Sequence, residues 1–187
     1  MRADAEGAPS RAWLAAPLVV FALVALTVGE VAKHSNGVVN PKDYLRLFFS
    51  DPLHLKVWFA TAAFALACTQ LLTAARIYGR LGLPAATPLV ATVHRWSGRL
   101  AILITLPVAY HCIFLLGYGN YTTRVQVHSL LGSAIYGAFI AKVLIVRGGK
   151  RFPDWQLPLA GGVLFAILLG LWLTSSLWFF RHVGVGF

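Results

Sequence analysis

Five long runs of apolar residues, separated by short polar segments, dominate the pattern of the chain. Each run is about 20 residues or longer, the length that an α-helix needs to cross the hydrocarbon core of a bilayer. The runs cover residues 13–32, 52–75, 88–117, 124–146 and 157–180. The short alternating strands typical of a membrane barrel do not occur in the pattern. The sequence therefore predicts an all-α integral membrane bundle of five transmembrane helices, formed by residues 1–187 as a single domain.

Residues with helix-start preferences precede two of these runs. Asp51 comes directly before Pro52, and Thr87 directly before Pro88, so a capping side chain precedes a proline that fits the first helical turn. Pro107 lies inside the third run and is expected to bend that helix, because proline has no backbone N–H to donate. The first run resembles the core of a signal sequence, but its length and the lack of a cleavage pattern favour a retained span.

The longest connection, residues 33–50, has two interpretations. Asn40 as a cap and Pro41 behind it favour a short helix over residues 41–50. Its basic and aromatic residues suit the membrane surface. An ordinary loop is the alternative, and the sequence does not decide between the two.

Composition and charge agree with a membrane protein. Of the 187 residues, 58% are hydrophobic and 12% are charged, and 16 Lys and Arg against 6 Asp and Glu give a net charge of +10. The basic residues lie near the ends of the apolar runs and form no stretch interleaved with aromatics. We therefore expect contact with membrane lipid headgroups and no nucleic-acid partner. More basic residues lie on the side of the N-terminus, which predicts a multi-pass protein of the plasma membrane with a cytoplasmic N-terminus.

Four histidines lie within or at the edge of the predicted spans, where an ionisable side chain is costly and usually functional. His94 and His111 are in the third span, His128 begins the fourth, and His54 is in the first turn of the second. Imidazole is the commonest metal-ligating side chain, and for paired histidines in a helical bundle we expect haem. Two pairs have matching depth, His111 with His128 and His54 with His128, and the sequence does not choose between them.

His94 has no second histidine at its depth, because His111 lies about 25 Å further along the same helix at 1.5 Å per residue. His94 is therefore either a cofactor residue or a hydrogen-bonded structural residue or headgroup contact, and a second, inner haem would lack a partner. No CxxCH motif occurs, which excludes covalently attached haem. We predict one b-type haem near the external face.

Two helix-opening histidines are each followed four residues later by glycine, as His94 by Gly98 and His128 by Gly132. A glycine at that spacing lies on the same helix face one turn away and leaves room for a flat macrocycle. The alternative is that these glycines only let neighbouring helices approach closely, as small residues do in membranes. Arg124, four residues before His128, is a candidate partner for a haem propionate or, alternatively, a headgroup anchor.

The segments HRWSGRLAILI (94–104) and VHSLLGSAIYG (127–137) resemble helices of the membrane haem-b superfamily that includes the cytochrome b561 and ferric-reductase-like proteins. The resemblance implies a four-helix haem-binding core that exchanges electrons with quinol, an ascorbate-like reductant or a redox partner subunit. The chain departs from the pattern at Val108 and Lys142, where a second histidine usually follows on the same helix face. No GxGxxG-bearing unit for flavin or nicotinamide is present, so a complete reductase would need a partner subunit.

The main hypothesis is a b-type haem protein that carries electrons to or from a quinol or a redox partner, as a subunit of a membrane oxidoreductase. The candidate cofactor-binding residues are His128, His111, His54, His94, Gly98, Gly132 and Arg124, with the iron held by His128 and either His111 or His54. The alternative is a cofactor-free scaffold or assembly subunit of a larger complex, whose histidines bind lipid headgroups or a quinone directly. Hydrolase chemistry has little support, because no GxSxG motif is present and the few acidic residues leave no obvious acid–base pair.

Overall fold

A computed structural model of the protein describes residues 11–35 and 44–185. Five of its helices are long and apolar enough to cross a membrane, which confirms the predicted spans. The helices are α1 (Arg11–His34), α2 (Pro52–Ile77), α3 (Pro88–Ala109), α4 (Thr123–Gly148) and α5 (Gln156–Trp172). Two of them continue, α3 as a π-helix (Tyr110–Leu116) and α5 as a π-helix (Leu173–Leu177) followed by the short α6 (Trp178–His182). Among the described residues there is no strand.

Capping side chains fix where α2 and α4 begin. Asp51 Oδ1 accepts the backbone N–H groups of Leu53 and His54, at 2.7 and 2.9 Å. Thr122 Oγ1 accepts the backbone N–H of Val125 at 3.3 Å. These bonds satisfy donors that the first turn of a helix leaves without an intrahelical partner.

The helices are arranged in a ring. α2 packs against α3 and α5, and α4 packs against α5 and α1. The ring closes where α1 meets the chain that leaves α3, because Tyr118 donates its backbone N–H to the Ala32 carbonyl at 3.0 Å. Gly117 permits this approach, since its φ is +70° and a Cβ there would lie 2.7 Å from the Ser35 carbonyl oxygen. α3 and α4 are not a closely packed pair, and a space remains between them.

A small apolar core fills the middle of the bundle. It consists of Ala67 from α2, Ile135 and Ala138 from α4, and Ile167 and Leu168 from α5. The two alanines let the helix backbones approach, as small residues do in membrane bundles. Ile135 and Leu168 also line a cavity at one end of the bundle, so the core separates that cavity from the other end.

The surface helix predicted over residues 41–50 is wrong for the part that the structure describes. Residues 44–50 form a loop, and residues 36–43 lie outside the described residues. Leu47 has a φ of +50°, the left-handed conformation that a right-handed helix does not contain. The backbone N–H of Leu45 is bonded to a side chain of the third span rather than to a helical turn. The alternative that the sequence left open, a loop, is correct here.

Candidate functional site

A cavity of about 510 Å³ lies at the end of the bundle where α2 and α4 begin and where the third and fifth spans end. Its volume is in the range of cofactor and ligand sites, roughly 300–1,000 Å³. All five spans contribute to its wall, which is mostly apolar. The polar and aromatic residues on it include Lys56, Arg124, His128, Tyr136, Thr174 and Trp178. We call this space the His128 cavity.

His128 is held in one tautomer by a threonine of the neighbouring span. Its Nδ1 lies 2.9 Å from Thr174 Oγ1. The hydroxyl proton of Thr174 is already donated to the Gly170 carbonyl at 2.7 Å, so the hydroxyl oxygen accepts from His128 and Nδ1 carries the ring proton. The lone pair of Nε2 is then available to a ligand in the cavity. Metal-ligating histidines have this arrangement, with the second ring nitrogen donated to a fixed acceptor.

Two cationic side chains share the cavity with His128. Arg124 donates from Nη1 to the Thr174 carbonyl at 2.6 Å, and its guanidinium carbon lies 4.1 Å from the centre of the Trp178 ring. Lys56 reaches the cavity from α2. No carboxylate belongs to the wall that the described residues form. Cations without a neighbouring carboxylate favour an anionic ligand group, such as a haem propionate.

The two glycines of the repeated His-x-x-x-Gly pattern have different surroundings. Gly132 lines the His128 cavity, and a Cβ built there would meet no atom within 4 Å. A Cβ at Gly98 would lie 2.9 Å from Gln70 Oε1. Gly132 thus leaves open volume one turn from His128, which a macrocycle would need. Gly98 lets Gln70 approach α3, which agrees with the alternative that such a glycine only allows neighbouring helices to pack closely.

His111 is fully buried and uses both ring nitrogens within the protein. Nδ1 donates to the Pro107 carbonyl at 2.7 Å, and Nε2 accepts the N–H of Leu45 at 3.1 Å. The imidazole also stacks on Tyr44, with ring centres 5.8 Å apart. This arrangement leaves no nitrogen lone pair for a metal, and His111 is not in the described wall of the His128 cavity. His111 instead fastens the loop of residues 44–50 to the third span.

His54 lies at the same end of the bundle, beside the described wall of the cavity. Its Nδ1 is 2.6 Å from Asp51 Oδ2, and its ring packs edge-on against Phe179, which does line the cavity. Burial opposes ionisation of Asp51, but hydrogen bonds from His54 and Leu53 hold the pKa of this carboxyl below its usual value. The hydrogen bonds of His54 involve Nδ1, not Nε2. An imidazole fixed at one nitrogen by a carboxylate is again an arrangement typical of metal-ligating histidines.

His94 repeats the threonine contact of His128 at the other end of the bundle. Its Nδ1 lies 2.8 Å from Thr73 Oγ1, which donates its own proton to the Thr69 carbonyl at 2.6 Å. The backbone carbonyl of His94 accepts from the Gln70 amide, which also bonds Ser97 Oγ at 2.8 Å. His94 is not in the wall of the His128 cavity. These contacts tie α3 to α2, as the structural alternative for His94 expected.

Sequence reasoning missed two residues of the cavity. Thr174 bonds His128 through its hydroxyl and Arg124 through its carbonyl, and Lys56 adds a second cation. A threonine in an apolar span commonly bonds only its own helix, and a lysine near a span end is already explained by membrane topology. Neither residue type therefore indicated a binding site from the sequence. Within residues 11–35 and 44–185, no group of three or more His, Cys, Asp or Glu side chains is arranged to hold a metal ion.

Comparison with known proteins finds one family model. It is described as "Family of unknown function (DUF6529)" and matches residues 14–187, so it extends over all five spans. No curated protein and no solved structure matches the chain.

Proposed function

The chain belongs to the family of unknown function DUF6529, and we propose that it is a membrane electron-transfer protein in which the His128 cavity holds one b-type haem. The observation that carries the proposal is the 2.9 Å contact between His128 Nδ1 and Thr174 Oγ1. The Nδ1–H of His128 is donated to Thr174, which leaves the Nε2 lone pair to a ligand in a largely apolar cavity. An imidazole kept in that state at membrane depth is what haem iron requires of a protein ligand.

The other residues of the cavity fit the same group. Gly132 leaves open volume one turn from His128 for a flat ring. Arg124 and Lys56 supply positive charge for the two propionates, and no carboxylate among the described lining residues competes for that charge. The aliphatic and aromatic wall suits the apolar faces of the macrocycle.

As the second residue that would hold the iron we favour His54 over His111. Ligation through His111 Nε2 would break the hydrogen bond from the Leu45 backbone N–H and leave this part-buried donor unpaired, at about 1–3 kcal/mol, although the Nδ1 bond to Pro107 would stay. His54 keeps its bond to Asp51 while its Nε2 is available. It packs against Phe179, which belongs to the cavity wall.

A bound b-type haem supplies one-electron transfer. The chain's own residues hold and tune the site: Thr174 fixes the orientation of His128, Arg124 contributes charge, and the apolar wall excludes water. Because the chain carries no flavin or nicotinamide unit, electrons would be exchanged with a quinol or a redox partner subunit. From the distribution of Lys and Arg we further propose a plasma-membrane protein with a cytoplasmic N-terminus, and the cavity towards the external face.

The test is an absorption spectrum of the protein purified from haem-replete cells, oxidised and then reduced with dithionite. We expect a b-type spectrum that His128→Ala abolishes. His34→Ala is the matched control, because His34 is exposed and its Nδ1 bonds the Glu30 carbonyl in its own helix. Loss of the six-coordinate spectrum in His54→Ala but not in His111→Ala would support the second ligand. A colourless wild-type protein would refute the proposal and favour a cofactor-free scaffold.

A further inference from the structure

Lys142 is a basic residue inside the fourth span that is not part of the His128 cavity. It lies six residues before Gly148, where α4 ends, and so about 9 Å inside that end of the helix at 1.5 Å per residue. Its Nζ extends towards α5, because a Cβ built on Gly161 would lie 4.0 Å from it. Lys142 makes no hydrogen bond and no ion pair with another described residue. A charged ammonium at membrane depth is costly unless an acceptor of opposite charge is beside it.

His94 lies at the same depth on α3, six residues after Pro88, where that helix begins. Lys142 and Arg95 both act electrostatically on its imidazole, so the three side chains are close to one another. Because the Nδ1–H is donated to Thr73, Nε2 carries a lone pair, and Nε2 has no hydrogen-bond partner among the described residues. A ring nitrogen that accepts and an ammonium that donates are thus both left without a partner at this end of the bundle. The Lys142 site is our name for His94, Arg95, Lys142 and Gly161.

The Lys142 site is accessible and lies near a membrane surface. His94 and Lys142 are partly exposed, Arg95 is exposed, and α3 and α4 are not a closely packed pair. The third span, Pro88–Leu116, has 29 residues and is about 43 Å long, the thickness of a bilayer with its headgroups. His94, about 9 Å from the start of this span, therefore lies near the boundary between headgroups and hydrocarbon. A lipid headgroup is within reach of the site at that level.

Two other occupants do not fit the Lys142 site. A haem needs open volume beside its histidine, but Gln70 fills the space next to Gly98, one turn from His94. A bridging water would join Nε2 and Nζ, but it would leave the charge of Lys142 without a counter-ion. A ligand that fits has an anionic oxygen for Lys142 and a hydroxyl for His94. Arg95 adds a second positive charge, and basic sites between membrane helices bind anionic headgroups.

We propose that the Lys142 site binds an anionic phospholipid with a glycerol headgroup, whose phosphate accepts from Lys142 Nζ and whose hydroxyl donates to His94 Nε2. Phosphatidylglycerol carries both groups. Phosphatidylcholine has no donor in its headgroup, and phosphatidylethanolamine would bring its own ammonium towards Lys142 and Arg95. The site shares no residue with the His128 cavity, so the lipid binds whether or not that cavity holds haem.

The experiment is native mass spectrometry of the delipidated full chain in detergent, titrated with single phospholipids that carry identical dioleoyl chains. Lys142→Met should weaken binding of the first phosphatidylglycerol about ten- to a hundredfold, the value of a hydrogen bond between charged groups. Lys150→Met is the matched control, because it removes an exposed lysine at the same end of the bundle, and it should stay within about twofold of the wild type. Lys142→Arg keeps the charge and should retain binding. Circular dichroism of each variant separates weaker binding from loss of fold.

A second comparison tests the headgroup hydroxyl. Phosphatidylethanol has the charge of phosphatidylglycerol but no hydroxyl, so the wild type should bind it about two- to tenfold more weakly. His94→Asn keeps a donor for Thr73 at the position of Nδ1 and lacks Nε2, and it should bind the two lipids equally. Glycerophosphoglycerol, the headgroup without acyl chains, should not displace the lipid at equal concentration. Equal phosphatidylglycerol affinity of Lys142→Met and Lys150→Met, equal affinity of the wild type for the two lipids, or displacement by the free headgroup would overturn the proposal.

Discussion

Replacing Thr174 with valine tests the proposed haem site through a residue that would not touch the iron. The substitution keeps the β-branched shape but removes the hydroxyl that accepts the Nδ1–H of His128 at 2.9 Å. Such partners of ligating histidines typically contribute 10- to 100-fold to metal affinity, or about 1.4–2.7 kcal/mol. We expect Thr174→Val to weaken haem binding by that factor in a titration of apoprotein with haemin, and to shift the midpoint potential.

The chain offers a matched control for this variant. Thr73 bonds His94 in the same way, at 2.8 Å, and its hydroxyl donates to its own helix as that of Thr174 does. Thr73→Val therefore removes the same kind of bond at a site away from the cavity, and it should leave haem affinity within about twofold of the wild type. Equal effects of the two variants on haem affinity would refute the assignment of His128 as the ligand.

Three further predictions concern single positions. Gly132→Phe should occlude the His128 cavity and abolish haem binding in the same titration, whereas Gly132→Ala should be tolerated because a Cβ there meets no atom within 4 Å. His111→Ala should keep haem, yet lower the free energy of unfolding by about 2–6 kcal/mol through two lost hydrogen bonds, as measured by thermal unfolding. Loss of haem in this variant would contradict the proposed ligand choice. Because the folded-state pKa of Asp51 is below its usual value, its stabilising contribution is present above roughly pH 4 and is lost as the pH falls through the folded pKa. Thermal stability of Asp51→Asn should therefore fall less than that of the wild type between pH 5 and pH 2, and parallel curves would count against this role.

The five spans were predictable because hydropathy and length are local properties of the sequence. Capping was less regular: Asp51 caps α2 as expected, whereas Thr87 makes no capping bond and α3 begins at Pro88 alone. Both π-helical continuations were missed, since hydrophobic periodicity does not separate π- from α-helical turns over a few residues. The loop of residues 44–50 depends on its contact with His111, far away in sequence.

The sequence predicted the depth of the candidate histidines in the bundle, but not which of their ring nitrogens are free to bind a ligand. Counting residues brought His54, His111 and His128 to one end of the bundle, and the structure has them there. Which nitrogen is free depends on hydrogen bonds between distant residues, such as His128 with Thr174 or His111 with Leu45. Such pairs leave no trace in the spacing of a single sequence. The predicted depth therefore identified the candidate histidines, and only their hydrogen bonds to distant residues show which of them could bind a ligand.

The wider turns of the π-helix Leu173–Leu177 determine which way the side chains of the following helix α6 point around the helix axis. A π-helix bonds each N–H to the carbonyl five residues back, so it accommodates one residue more than the α-helical path. If the same residues formed α-helical turns instead, the additional residue would not be absorbed, and Trp178 and Phe179 would be rotated by about 100° about the axis. Both side chains now line the His128 cavity, and Trp178 lies under Arg124. The π-helical winding between Thr174 and Phe179 thus shapes this pocket as much as the identities of its side chains do.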